Sequence, residues 1–236
     1  MMKKVLTSIV LMIAVALVSS AQVEHHVVKV GNFTHLSVVD NINVTYRCNA
    51  DSAGLATFSC TQEVANAIMF SISTKGRLSI RVDDDYERLT NLPTITVYSS
   101  TLNEAENSGD STLRVMQLPP LKSFKVRLTD NGKVIVRGVR ASQLELQILS
   151  GKGKIIADGS CDDLSLRLVG TGEIQADNVV ATSVSCRIMG TGSIGCNVTS
   201  GELKVSGSGT GKVYYKGNPS KVTVHKLGTI KAIPIE

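Results

Sequence analysis

The chain has no tryptophan, and all its aromatic residues together make up 4 % of it. A carbohydrate site built on stacked rings has almost nothing to be built from. Proline is scarce too, with five residues in 236, so no rigid Pro-rich linker divides the chain. The five cysteines include no Cys-x-x-Cys pair and the four histidines no His-x-x-x-His pair, which removes the spacings of a compact zinc site. No glycine loop opens onto helical spacing, so a phosphate loop is missing. Formal charge is +5 without a clustered basic stripe, which argues against nucleic acid. The residues predict no cofactor and no metal ion.

The one long apolar run stands at the start. Met1-Met2-Lys3-Lys4 is basic, Val5 to Val18 is apolar apart from Thr7 and Ser8, and Ser19-Ser20-Ala21 places small residues at −3 and −1. This pattern predicts a secretory signal peptide over 1–21, too short for a membrane anchor, with Gln22 as the new N-terminus. Losing Lys3 and Lys4 lowers the charge from +5 to about +3. The mature chain then carries no transmembrane segment. The expected location is the outer cell surface or periplasm of a Gram-negative-type bacterium.

Glycine is what the chain has in a pattern. Corners recur at Asn131-Gly132, Gly151-Lys152-Gly153, Gly170-Thr171-Gly172, Gly190-Thr191-Gly192, Gly209-Thr210-Gly211 and Leu227-Gly228. Their second glycines stand at 132, 153, 172, 192, 211 and 228, a step of about 20 residues, which marks a repeat. Before each corner apolar residues alternate with polar ones: Phe124, Val126, Leu128; Leu144, Leu146, Ile148; Leu164, Leu166, Leu168; Val184, Cys186, Ile188; Leu203, Val205. After it comes a shorter alternating run, such as Val134 and Val136, Ile155 and Ala157, or Ile174 and Ala176. Period two is the mark of a strand with one face buried. Two strands and two corners per 20 residues describe a rung that buries its inner side chains only by stacking on its neighbours. The fold class is therefore all-β: a single-stranded β-helix, or β-solenoid, over 106–236.

Residues 22–105 also alternate, at Leu36 to Tyr46, Leu78 to Val82 and Ile95 to Tyr98, but without the regular step. They predict an irregular N-terminal β region that caps one end of the solenoid. Asn107-Ser108-Gly109-Asp110-Ser111 looks like a degraded first corner, and Pro234 is placed to stop strand pairing at the other end.

Candidate chemistry is thin. Asp83-Asp84-Asp85 follows a strand without a calcium-loop glycine and reads as a solvated turn. His25, His26, His35 and His225 are scattered, and Ser206 in Ser206-Gly207-Ser208-Gly209 lacks the helix of a hydrolase elbow. Acids such as Asp158, Asp162, Asp163 and Asp177 sit at turns and do not form the convergent pair of a glycosidase. No catalytic residue is assigned, and the chain is expected not to be an enzyme. Cys48 and Cys60 flank the turn-like segment 49–54, open either to a hairpin-closing disulfide or to free thiols. Cys186 and Cys196 fall inward on facing strands, too far apart for a bridge, and read as small core residues. Cys161 stands at a corner with no evident partner. Arg127, Gln147, Arg167 and Arg187 recur at steps of 20 and point outward, forming one column. Like charges stacked so closely repel, so the column is either a solvated face or a contact for an anionic glycan or lipid.

The Gly-Thr-Gly and Ser-Gly-Ser-Gly turns, preceded by Asn32-Phe33-Thr34-His35-Leu36-Ser37-Val38 and Asp40-Asn41-Ile42-Asn43-Val44-Thr45, resemble the head GIN domain family of exported Bacteroidetes-type proteins. The resemblance spans about Val28 to Ile230. It implies a β-helix with glycine-serine turns, no catalytic set and a suggested role in adhesion. Because its motif defines turns, it transfers no site residues. The expected function is an exported, non-enzymatic, adhesion-like protein that meets a glycan or cell-surface ligand. A ligand-free periplasmic envelope component is the first alternative, and a carbohydrate-active β-helix enzyme the second. A homo-oligomer is compatible with a flat solenoid face.

Overall fold

The computed structural model describes residues 22–86 and 91–236. The signal-peptide reading of 1–21 lies outside the described residues. In chain order the elements are β1 (Glu24–Lys29), β2 (His35–Val38), β3 (Val44–Cys48), β4 (Leu55–Cys60), α1 (Gln62–Ala67), β5 (Ile68–Ile72), β6 (Arg77–Val82), β7 (Ile95–Ser99), β8 (Glu104–Asn107) and β9 (Thr112–Met116). They continue with β10 (Leu121–Leu128), β11 (Lys133–Ile148), β12 (Lys154–Gly170), β13 (Glu173–Gly190), β14 (Ser193–Val198), β15 (Glu202–Gly209), β16 (Lys212–Gly217), β17 (Lys221–Gly228) and β18 (Lys231–Pro234).

The regular part is a β-solenoid of about seven turns with parallel, stacked rungs. One broad sheet is made by β8, β10, the C-terminal halves of β11, β12 and β13, then β15 and β17. The opposite sheet is made by β9, the N-terminal halves of the same three strands, then β14, β16 and β18. The long strands slip register between Val136 and Val139, Ile156 and Asp158, and Ala176 and Val180. Those breaks are the second corner, where Arg137-Gly138, Asp158-Gly159 and Asp177-Asn178 stand.

Each inward residue lands on its equivalent one turn away. Val126 is opposite Leu146, which is opposite Leu166, then Cys186, Val205 and Val224. From Val126 to Val205 every member is 2 % exposed or less. Fully burying an aliphatic side chain is worth about 1.5–3 kcal/mol, so this column and its neighbours carry the fold. At the first corner, glycines stack on glycines. Gly190 has φ +137°, and a Cβ added there would sit 2.2 Å from the Gly170 carbonyl oxygen. The backbone of one turn lies where a side chain of the next would go, so only glycine fits.

The degraded corner at 107–112 uses a different device. Asn107 is buried, donates to the Ser111 carbonyl at 2.9 Å and accepts from the Gly109 N–H at 3.3 Å. The next corners are stitched by side chains: the Asn131 N–H donates to Asp110 Oδ1 (3.3 Å), and the Lys152 N–H donates to Asn131 Oδ1 (3.2 Å).

The N-terminal region stacks out of sequence order. Strands β2 and β3 lie between β6 and β7 on one side and β8 and β9 on the other, parallel to both. Leu36, Val38, Val44, Leu78, Ile80, Ile95 and Val97 are fully buried in the same continuous core. Beyond this level the pairing turns antiparallel: β4 joins β7 and β1, and β5 joins β6. The short helix α1 starts at Thr61, whose hydroxyl accepts from the Val64 N–H. At the other end Lys231 and Ile235 donate to the Gly211 and Tyr215 carbonyls. Ala232 and Pro234 therefore face the outer edge of β18, where proline offers no N–H.

All five cysteines are free. Cys48 is opposite Ser99 at one end of β7, whereas antiparallel pairing of Thr57 with Thr96 carries Cys60 to the other end, about 20 Å away at 3.3 Å per residue. They close no hairpin, because 49–54 turns between strands that do not pair with each other. Cys186 and Cys196 face each other inside the core, and hydrogen bonding to Cys196, followed by burial, pushes the Cys186 thiol well above its ordinary value. Burial, with Asp162 and Asp163 adding to it, pushes Cys161 up to about 12.

Candidate binding trough on the broad sheet

The outward face of the broad sheet is shallowly concave. Three depressions run along it, the two largest holding about 580 Å³ near Lys125 and Glu145 and about 470 Å³ around Arg167 and Arg187. Strand alternation puts every second residue on this face, and parallel register aligns equivalent positions into columns about 4.8 Å apart along the axis. Across the sheet the columns change character. The first holds Gln143, Asp163 and Ser183; the second holds Lys125, Glu145, Ser165, Ser185 and Lys204. The third holds Arg127, Gln147, Arg167, Arg187, Ser206 and His225.

The arginine column predicted from the 20-residue step is therefore present and in register, but its members differ. Arg127 is half-buried and pairs with Glu104 at 2.9 Å, a carboxylate it shares with Arg77. Gln147 is 9 % exposed and donates to Glu145, which also pairs with Lys125 at 2.7 Å. Arg167 and Arg187 are exposed and, among the described residues, form no ion pair. The carboxylate that the next turn presents on this face, Glu202, is occupied. Glu202 is held below its usual range by the Thr223 hydroxyl and Lys204, and Lys221 also pairs with it at 3.8 Å. Two guanidinium groups in adjacent turns, flanked by the Ser165, Ser185 and Ser206 hydroxyls, can take an anionic oxygen group by bidentate hydrogen bonds.

The other singled-out residues do not gather here. Asp83 caps its own turn, accepting from the Asp85 N–H at 3.1 Å. His25 meets Ser59, His26 stacks on Phe58 and bonds the Cys60 carbonyl, and His35 meets Thr34. Two histidines join the trough: His225, one turn beyond Ser206, and His35, which stands in register with Glu104 and Lys125 and lines the larger depression. Ser206 lies on a strand with no helix after it. Among the described residues no three of His, Cys, Asp and Glu converge as a metal site, and no helix is long and apolar enough to cross a membrane.

The family model named "Putative auto-transporter adhesin, head GIN domain" matches residues 32–219. No curated protein matches in sequence. Among solved structures, an adhesin-type protein from Bacteroides fragilis superposes with a TM-score of 0.81 at 21 % identity, over 92 % of this chain and 98 % of that one. Another from Parabacteroides merdae gives 0.72 at 18 %, and a protein from Parabacteroides distasonis named for lipid binding gives 0.67 at 18 %, each with the same coverage. At such identity the structures speak to the fold; with the family model spanning most of its length, the chain belongs to the head GIN domain family of adhesin-like proteins.

Proposed function

We propose that this chain is an exported, non-enzymatic binding protein whose contact surface is the trough of the broad sheet, and that its ligand is anionic. The observation that carries this reading is the pair Arg167 and Arg187, stacked in adjacent turns with no carboxylate between them. Stacked like charges cost stability unless a counter-charge arrives, and elsewhere on the same face the basic residues Arg77, Lys125 and Arg127 each have one. The adhesin-type names of the family and its structural neighbours support a binding role.

The test is binding of dextran sulfate against uncharged dextran to wild type and to the Arg167→Gln/Arg187→Gln variant. The expected result is salt-sensitive binding of the sulfated polymer alone, weakened about tenfold in the variant. Equal binding by both proteins removes the trough from the account. Protease shaving of intact cells decides the location. Loss of the protein keeps surface adhesion, whereas protection until lysis puts the envelope-component reading first.

A further inference from the structure

One column of the broad sheet is mainly apolar. Two residues beyond each arginine, on the same outward face, stand Val169 and Met189, followed in register by Ser208 and Leu227. Leu149 takes the equivalent place in the preceding turn. Met189 is 40 % and Leu227 77 % exposed, and both are among the chain's exposed large hydrophobics. The apolar column runs parallel to Arg167 and Arg187 at about 7 Å, the distance of two strand residues. Asp163 is on the opposite side of the arginines, about 13 Å away by the same measure. From one edge to the other the sheet therefore passes from acid through serine to arginine to hydrocarbon.

We infer that this edge docks on the surface of a bilayer that carries anionic headgroups, with Arg167 and Arg187 at headgroup level and Met189 and Leu227 in the interface. The inference rests on the proposed anionic trough and adds a hydrocarbon half to its ligand. Three observations favour a lipid surface over a charged polysaccharide. The apolar residues form a row beside the cations, with Val169 and Met189 in consecutive turns and Leu227 one turn beyond Ser208. They stand at the glycine corner of the rung, next to Gly170 and Gly190, with Met189 and Leu227 exposed. No Phe, Tyr or Trp ring, the usual platform for a sugar, stands in any of these columns. Each basic residue near an anionic membrane adds affinity, and partial burial of side chains in the interface adds more.

The experiment is vesicle co-sedimentation with phosphatidylcholine, with and without phosphatidylglycerol, using the chain from Gln22 onward. The proteins are wild type, Arg167→Gln/Arg187→Gln, and Met189→Ser/Leu227→Ser; all four positions are exposed, and circular dichroism checks the fold. The expected result is binding to the phosphatidylglycerol vesicles only, reduced about tenfold by either double change. The arginine variant should lose its salt dependence, and the Met189→Ser/Leu227→Ser variant should keep it. Vesicle binding that ignores Met189→Ser/Leu227→Ser overturns the inference in favour of charge alone. Dextran sulfate binding through the arginines without vesicle binding also overturns it and leaves the anionic trough standing. Absence of both ends both readings.

Discussion

The stack from Phe124 to Gly217 and the region from Glu24 to Ser99 bury the same kinds of residue in one core, yet they are assembled differently. In the first, each turn pairs with the next in sequence, and glycine corners set the step. In the second, β2 and β3 are laid down first and then enclosed between β6 and β7, which come later, and β8 and β9. The contrast shows that stacking demands a matching inward face and a free edge and makes no demand on chain order. Sequential order in the regular part follows from its short corners, which leave each strand no neighbour but the previous turn.

The sharpest break in this comparison is at the corners. Gly190→Val is expected to cost about 4 kcal/mol or more, because its φ is +137° and the Gly170 carbonyl occupies the Cβ position. Gly138→Ala, with φ +64° and nothing within 4 Å of the added Cβ, should stay near 1 kcal/mol. Urea midpoints of the two variants measure the difference, and equal midpoints would show that the glycine stack is not what fixes the step.

Core truncation tests whether the two regions open together. Leu166→Ala and Leu78→Ala each remove a side chain that is 1 % exposed or less, at about 3 kcal/mol. In a stack of turns, stability is largely a matter of nearest neighbours. Hydrogen exchange should therefore show Leu78→Ala loosening 35–99 while 164–198 keeps its protection. Loss of protection across the whole chain would make the out-of-order levels one unit with the rest.

Alkaline pH weighs on both regions through buried acids. Cys161 in the stack rises from 9.0 to about 12, and burial also raises Tyr46, in the enclosed level, where its hydroxyl meets Ser99 at 3.1 Å. Both stay neutral when folded and ionise when unfolded. The contribution of Cys161 is full below about pH 9 and declines as pH rises toward 12, and that of Tyr46 is full below about pH 10 and declines above it, each by up to about 1.4 kcal/mol per unit. Unfolding midpoints between pH 8 and 11, roughly that window, should fall for wild type and fall less for Tyr46→Phe. The smallest effect is expected at a surface pair. Burial works to raise Glu173, but hydrogen bonds from Lys154 and Gln175 outweigh it and hold the carboxyl below its usual value. Because the group is partly exposed, Glu173→Gln should cost only about 0.5 kcal/mol, less in high salt.

Particular residues show how far the sequence reaches. Val126, Leu146, Leu166, Cys186 and Val205 could be placed inward, and Arg127, Gln147, Arg167 and Arg187 in one outward column, because a period of two and a step of 20 are visible in the letters. The same letters cannot say that Arg127 is neutralised and Arg187 is not. Glu104 reaches Arg127 only because β8 stacks under β10, a pairing across 23 residues that no local pattern announces. The letters leave the pairing of Cys48 and Cys60 open for the same reason: the two are near along the chain, but Cys48 is opposite Ser99 of β7 and Cys60 opposite Glu24 of β1.

The sequence by itself determined the strands, their inward faces, the glycine corners and the parallel stacking of the regular turns, because each depends on steric and hydrophobic rules that act within some 20 residues. Only the tertiary structure decided the enclosure of β2 and β3, the antiparallel strands at the N-terminal end, and which charges on the broad sheet remain unpaired. These depend on which free edge a strand meets, and edges offer the same backbone hydrogen bonds to any strand with a matching face.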